Sequence, residues 1–180
     1  VEVGRPQSGE PGKTEEEKLL ALSSSFMVSA DNAHAVHPGS PEKSDPTNRC
    51  YLNGGVVVKH GVRYATDPVS AGVFKKLCAD AQVPVQEYYN HSSIPAGGTL
   101  GNISGSHISV PTVDIGLAQL AMHSPCETAG AEDLAHMVKA MEVFFSSAII
   151  CGGDGLYTLR PAEKAPAEPE EEAVKEPEKA

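Results

Sequence analysis

The chain has 180 residues, of which 14 are basic and 24 acidic, so its formal net charge is −10. This balance argues against a protein that follows nucleic-acid phosphates, because such proteins present a positive surface. No apolar run approaches the roughly 20 residues of a membrane-spanning helix. The polar residues 1–18 do not resemble a secretory signal. We therefore expect one domain that binds neither nucleic acid nor membrane. Because the first methionine is Met27, we also expect a processed chain or a piece of a longer protein.

The first dozen residues and the last 20 are low in apolar side chains. Residues 161–180 hold 7 Glu, 3 Lys, 4 Pro and 5 Ala. Such a segment has too little to bury to offset its loss of conformational entropy on ordering. We predict a disordered N-terminal segment at 1–12, a folded part at 13–150 and a disordered acidic tail at 151–180.

Helix and strand signals alternate between the two ends. A helix is predicted over residues 14–24, followed by a short strand over 26–30 that ends at Asp31. A second strand covers 56–58. Asp67 followed by Pro68 predicts a helix start, since an aspartate caps the helix and a proline presets the first turn.

Two further strands are predicted over 83–88 and 110–115. Asp133 is predicted to open a last helix. Its apolar stripe contains Leu134, Met137, Val138, Met141, Phe144 and Phe145. Strands that alternate with helices predict an α/β fold with a largely parallel or mixed sheet. Ligands of such folds bind where strands end, which is the position of Asp31.

A carboxylate and two imidazoles follow the first strand, at Asp31, His34 and His37. His123 lies in a loop after the strand over 110–115. Carboxylate oxygen and imidazole nitrogen are the donors that a divalent metal such as zinc accepts. On spacing alone, however, an aspartate such as Asp31 at a strand end is more often a turn former or a helix cap, and a single histidine such as His123 is usually an ordinary loop residue.

Lys59 follows the strand over 56–58 directly. A lysine at this place usually points to solvent, but one that faces a site would favour a substrate carboxylate. The glycine-rich residues 97–101 lack the Gly-Lys-Ser/Thr ending of a phosphate loop, so we expect a tight turn there and not a nucleotide site. The four cysteines form no C-x-x-C pair, which favours free thiols in a reducing compartment.

Several strings in order carry a resemblance to a known family: SFMVSADNAHAVHP, RYATDPVSAGVFKKLC, GGTLGNIS and VDIGLAQLAMHS. They closely resemble the M18 family of zinc aminopeptidases, the aspartyl aminopeptidase group, from about residue 19 to residue 145. The resemblance implies a three-layer α/β/α sandwich of the dinuclear zinc peptidase type, which is incomplete in this chain. It also implies removal of N-terminal, often acidic, residues from peptides by metal-activated water, a cytoplasmic location and a homo-oligomer, a dodecamer in the family.

Residue by residue, the resemblance implies that Asp31 and His123 are zinc ligands, one for each of two ions. Cobalt or manganese would suit the same donors. His34, Lys59, Gly98 and Thr99 match residues of the substrate pocket, with Lys59 near an acidic first side chain.

The remaining ligands of the family, its Glu-Glu pair with the general base and its dimerisation domain have no counterpart in this chain. No catalytic residue is therefore expected among these 180 residues. The chain resembles the C-terminal half of a catalytic domain that would need its missing N-terminal half. One alternative is an inactive truncated subunit that docks with full-length homologous chains. Another is a metal-free α/β binding module that keeps only the scaffold.

Overall fold

The computed structural model describes residues 14–152 and 155–161. Within them, α-helices lie at Glu15–Ser23 (α1), Pro68–Asp80 (α2), Leu100–Gly105 (α3) and Ala131–Phe145 (α4), with a short 3-10 helix at Pro41–Lys43. Strands lie at Met27–Ala30 (β1), Ala33–His34 (β2), Val56–His60 (β3), Val85–Tyr89 (β4), Thr112–Gly116 (β5), Ala118–Leu120 (β6), Thr128–Ala129 (β7), Ser147–Cys151 (β8) and Tyr157–Pro161 (β9).

Local capping signals fix the starts of two helices where the sequence predicts them. The Thr14 hydroxyl accepts a hydrogen bond from the Glu17 backbone N–H, and the Glu17 carboxylate accepts one from the Thr14 N–H. Asp67 caps α2 in the same way, through the N–H groups of Val69 and Ser70. Both caps satisfy donors that a helix start leaves free.

The central sheet is mixed, as predicted, and has the strand order β1-β5-β3-β4. β1 and β5 run parallel to each other, as do β3 and β4, and the two pairs meet antiparallel between β5 and β3. The four predicted strands are all present in it. A second sheet, β2-β6-β7, continues from the ends of β1 and β5.

Side chains alternate between the two faces of the central sheet. Val56, Val58, Val113 and Ile115 pack with α2 and α4 in one core cluster. On the other face Val57 packs against Ala33 and Ala118 of the second sheet. Helix α3 approaches that same face, since its Gly101 adjoins the Asp114 side chain. The α/β prediction is confirmed, and the third layer consists of α3 and the second sheet.

The last helix differs from its prediction in two ways. It begins at Ala131 after Gly130, two residues before Asp133. Its apolar stripe is only half covered, because Met137 and Met141 pack against the core while Leu134, Val138 and Phe145 are at least half exposed. Periodicity identifies an apolar face but does not show what covers it. None of the helices described is long and apolar enough to cross a membrane.

The predicted tail at 151–180 is wrong for its first residues. β8 and β9 pair antiparallel from Ser147↔Pro161 to Cys151↔Tyr157, and the Tyr157 ring lies edge-on to Phe26 at 6.3 Å. Residues 156–159 are still apolar in part, and the strongly acidic composition begins only after residue 161. The predicted disorder of residues 1–12 and of 162–180 lies outside the described residues.

Candidate active site

Two neighbouring strands bring the candidate residues to one edge of the sheet. β1 and β5 are parallel, so both end at the same edge, and the chain continues from them into β2 and β6, which also pair in parallel. Asn32 joins the two connections: its amide nitrogen donates to Gln119 Oε1 at 2.6 Å, and its Oδ1 accepts from the Leu117 N–H at 3.2 Å. This arrangement holds Asp31 and His34 beside the segment that carries His123.

A cavity of about 520 Å³ opens at this edge. All six residues singled out in the sequence line it: Asp31, His34, Lys59, Gly98, Thr99 and His123. They come from separate places in the chain, which only the fold brings together. Their individual roles stay predictions, but their common location is a property of the structure.

Lys59 lies beneath Asp31 at the floor of the cavity. Its side chain is only 2% exposed, and its ammonium group donates to the Asp31 carbonyl oxygen at 2.8 Å. Lys59 Nζ also lies 3.6 Å from Asp31 Oδ2 and 5.3 Å from the centre of the Tyr64 ring. Burial lowers the pKa of Lys59, while the carboxylates of Asp31 and Asp114 oppose that shift. The lysine therefore does not point to bulk solvent.

His34 and His123 both line the cavity. Desolvation lowers the pKa of His34, and the nearby His123 and Lys59 lower it further. A neutral imidazole can accept a hydrogen bond or bind a metal. His123 has φ of 67°, in the left-handed region, and its backbone N–H donates to Glu127 Oε1 at 2.5 Å. Such a backbone is uncommon for a residue other than glycine.

Gly98 and Thr99 form the wall that leads into α3. Thr99 is the N-cap residue of α3, but its hydroxyl makes no capping hydrogen bond. Thr99 Oγ1 is buried and has no hydrogen-bond partner among the described residues. There is open space beside Gly98. A Cβ added there would have no atom of the described residues within 4 Å, apart from its neighbours along the chain.

Sequence reasoning missed three residues that hold this edge together: Asn32, Tyr64 and Asp114. Asp114 is fully buried, and its Oδ2 accepts from the Ala65 N–H at 2.5 Å, next to Tyr64. The signal for Asp114 was a carboxylate inside an otherwise apolar strand, because a buried charge needs partners.

The described residues of the cavity offer the kinds of donor atom that zinc binds, but too few of them. Asp31 supplies carboxylate oxygen and His123 imidazole nitrogen, and both residues line the cavity. Over residues 14–152 and 155–161, no three His, Cys, Asp or Glu side chains are grouped so that they could hold a metal ion. A catalytic zinc has three protein ligands, so these residues alone do not complete a zinc centre.

Comparison with known families identifies the family of this chain. The sequence pattern of the family described as Aminopeptidase I zinc metalloprotease (M18) matches residues 5–145. The chain belongs to the M18 family. The resemblance noted in the sequence is thereby confirmed.

Curated M18 relatives match over most of this chain. A probable M18 family aminopeptidase 2 of Pseudomonas aeruginosa (strain UCBPP-PA14) is 48% identical over 129 residues, which are 71% of this chain and 30% of that protein. The protein of the same name from Stutzerimonas stutzeri (strain A1501) is 46% identical over 136 residues, 74% of this chain and 32% of that protein. This M18 chain thus spans about a third of the length of these relatives.

Solved M18 structures share the fold. The chain matches the structure titled as the Ape4 and Nbr1 complex with a TM-score of 0.72 and 33% identity, over 74% of this chain and 26% of that one. It matches crystalline prApe1 with a TM-score of 0.68 and 29% identity, over 71% and 27% of the two chains. An M18 aminopeptidase of Thermotoga maritima is 23% identical and supports the fold alone. Its TM-score is 0.66, over 73% of this chain and 31% of that one.

Proposed function

We propose that this chain forms the C-terminal part of the catalytic unit of a zinc-dependent aminopeptidase that removes acidic N-terminal residues from peptides. One observation carries the proposal: six residues that the family resemblance selects, from distant parts of the sequence, line a single cavity. Membership of the M18 family supports the reaction class.

In this proposal Asp31 and His123 each contribute one ligand to one of two metal ions. His34, Lys59, Gly98 and Thr99 contact the substrate. The metal would supply an activated water and polarise the scissile carbonyl. The remaining ligands and the general base would come from outside this chain, so we expect the isolated chain to bind zinc weakly and hydrolyse little.

The charge of the cavity supports a preference for acidic substrates. Its walls carry two lysines and four histidines, at Lys43, Lys59, His34, His37, His91 and His123, whereas Asp31 is the one carboxylate residue among the described lining. The chain as a whole has a net charge of −10. The two lysine charges, inside a chain of net negative charge, would attract a negatively charged ligand. The histidines would add ring N–H groups that donate hydrogen bonds to it.

We further propose that the active form contains more than one chain. The structure titled as the S. cerevisiae mApe1 dodecamer is 28% identical to this chain, with a TM-score of 0.62 over 71% of this chain and 28% of that one. A homo-oligomer, together with the missing N-terminal half, is the corresponding assembly for this protein.

Complementation tests the proposal. The full 180-residue chain would be co-expressed with the part of the P. aeruginosa relative that precedes its matched region. Hydrolysis of aspartyl- and alanyl-coumarin amides would then be measured with zinc and with a chelator. We expect chelator-sensitive hydrolysis, faster for the aspartyl substrate, which Asp31→Asn and His123→Gln abolish and the surface variant Asp80→Asn preserves. Hydrolysis that neither the chelator nor Asp31→Asn reduces would refute the assignment.

The second candidate is a docking subunit without catalysis. The incomplete set of ligands in the described part of the cavity favours it, because two side chains of this chain cannot alone satisfy even one catalytic zinc. Stable assembly with the relative's N-terminal part or with full-length chains, without any hydrolysis at saturating zinc, is the result that this candidate predicts.

A further inference from the structure

The rim of the cavity is built by two segments far apart in sequence. One contains the 3-10 helix Pro41–Lys43, and the other follows β4 through Asn90 and His91. An antiparallel bridge joins Ser44 to Asn90. Hydrogen bonds from the Lys43 N–H to the Ser40 carbonyl (3.1 Å) and from the Ser40 N–H to the His37 carbonyl (3.0 Å) fix the turn itself. The base of the Lys43 side chain is thus held in place at the rim.

The lysine charges of the cavity differ in how they are used. Lys59 is buried and pairs with Asp31, so these two charges largely neutralise each other. Lys43 is exposed, and its ammonium group makes no hydrogen bond or ion pair within the described residues. The neighbouring carboxylates Glu42 and Asp45 form no ion pair with Lys43 within the described residues, and Asp45 Oδ1 instead accepts from the N–H groups of Thr47 (2.9 Å) and Asn48 (2.6 Å). Lys43 is therefore the lysine whose charge is available to a ligand.

We propose that Lys43 determines specificity beyond the first residue, by binding carboxylate side chains at the second and third positions of the peptide. The inference rests on the proposed function, in which the peptide's amino end lies near Asp31 and His123. A chain that starts there leaves the cavity through its open rim, past Lys43 and His91. An acidic peptide would then lie near two lysines: Lys59 inside the cavity, which is paired with Asp31, and Lys43 at the rim, which has no partner among the described residues.

Peptide binding to the full 180-residue chain tests this inference. Dissociation constants would be measured by NMR titration, with zinc present, for Ala-Glu-Glu-amide and for its neutral isostere Ala-Gln-Gln-amide. A solvent-exposed ion pair between Lys43 and a glutamate of the peptide should make the acidic peptide bind about two- to fivefold more tightly than the neutral one. High salt should reduce this preference, because it screens exposed charges. Lys43→Met should bring the ratio to one, while the surface control Lys139→Met, on α4, should leave it unchanged.

Further peptides separate this inference from the proposed function. Asp-Gln-Gln-amide and Asn-Gln-Gln-amide differ only in the charge of the first residue, and Lys43→Met should not alter their ratio. Equal binding of the Glu-Glu and Gln-Gln peptides to the unaltered chain would overturn the role of Lys43 and leave the proposed function standing. A preference that survives in Lys43→Met would overturn that role as well. Failure of every peptide with a free amino end to bind would overturn the role of Lys43. It would leave the proposed function standing, because that function places the remaining metal ligands outside this chain and is tested by complementation.

Discussion

The ammonium group of Lys59 donates a hydrogen bond to the carbonyl oxygen of Asp31 at 2.8 Å, while its Nζ lies 3.6 Å from Asp31 Oδ2. One buried side chain thus holds both the main chain and the carboxylate of the residue that follows β1. The two partners differ in exposure, at 2% for the Lys59 side chain and 53% for that of Asp31. Substitutions on the two sides should therefore have unequal effects on stability.

Lys59→Met should lower the free energy of unfolding by about 1–2 kcal/mol, because the Asp31 carbonyl loses a charged donor while the apolar stem is kept. Asp31→Asn should lower it by less than about 1 kcal/mol, because water screens the half-exposed Asp31 carboxylate and the substitution keeps the backbone carbonyl that accepts from Lys59. Urea unfolding followed by circular dichroism measures both. An Asp31→Asn variant as destabilised as Lys59→Met would contradict the asymmetry.

A glycine at the end of β5 allows the close approach of the residue that carries the candidate ligand. A Cβ on Gly116 would lie 2.0 Å from the Asp31 carbonyl oxygen and 2.8 Å from Asn32 Cα. Gly116→Ala should therefore push β1 away from β5 and lower the unfolding free energy by about 2 kcal/mol or more, as overpacking in a close-packed interior does.

Gly72 in α2 provides the matched control, because its added Cβ would have no neighbour within 4 Å among the described residues. Gly72→Ala should raise stability by about 0.5–1 kcal/mol, owing to the better helix propensity of alanine. Thermal and urea unfolding of both variants would decide the point. If Gly116→Ala and Gly72→Ala changed the free energy of unfolding in the same direction, the close contact between Gly116 and the Asp31 backbone would not be what determines the effect.

Asp133 ties the start of α4 to the turn before β3. Its carboxylate is fully buried and accepts from the N–H groups of Asn53 at 2.7 Å and Gly55 at 2.8 Å. Asp133→Ala removes two charge-assisted acceptors and should destabilise the fold by about 3 kcal/mol. Asp133→Asn keeps one acceptor oxygen, so its free energy of unfolding should lie between those of the unaltered chain and of Asp133→Ala.

The comparison for this carboxylate is Asp80, an exposed residue of α2 whose partner is Lys76. Asp80→Ala should change the unfolding free energy by less than about 1 kcal/mol. Guanidinium titrations of the three variants at one pH give the order directly. Equal effects of Asp133→Ala and Asp80→Ala would show that the turn does not depend on the buried carboxylate.

The four thiols should divide into two pairs by reactivity. Burial raises the pKa of Cys50 to about 12, with a contribution from Glu87, and burial raises that of Cys78 to about 11. Cys126 and Cys151 are exposed. At about pH 8, iodoacetamide should modify the exposed pair first, because the thiolate is the reacting form. Peptide mapping by mass spectrometry follows each site, and rapid labelling of Cys50 in the folded chain would contradict the division.

Local signals predicted much of the fold because their physical causes are local. Thr14 and Asp67 cap helices through neighbouring N–H groups, so a few residues suffice to place those starts. The apolar run over residues 56–58 likewise predicted a strand. Lys59 was uncertain for a related reason: strand position puts its Cβ on a face, but only the partner Asp31, 28 residues away, determines that it is buried.

The sequence identified the residues of the candidate site better than it identified the contacts that hold them in place. Family motifs selected Asp31, His34 and His123 but not the Asn32 side chain, which bonds to Gln119, 87 residues away in sequence. Composition also missed β9, because a short apolar stretch beside an acidic segment shows its strand character only when it pairs with β8. A contact across 87 residues leaves no signal in any single window of sequence, and the strand preference of a short segment such as β9 depends on the neighbours that it packs against.

The β8–β9 hairpin lies beyond residue 145, where the match to the M18 family ends. It nevertheless touches the inherited part of the fold, since Tyr157 meets Phe26 and β9 runs beside α2. The end of the family match and the end of the packed structure therefore do not coincide. A chain cut at the family boundary would uncover the aromatic ring of Phe26 and one side of α2, so residues outside the shared domain help to keep it intact.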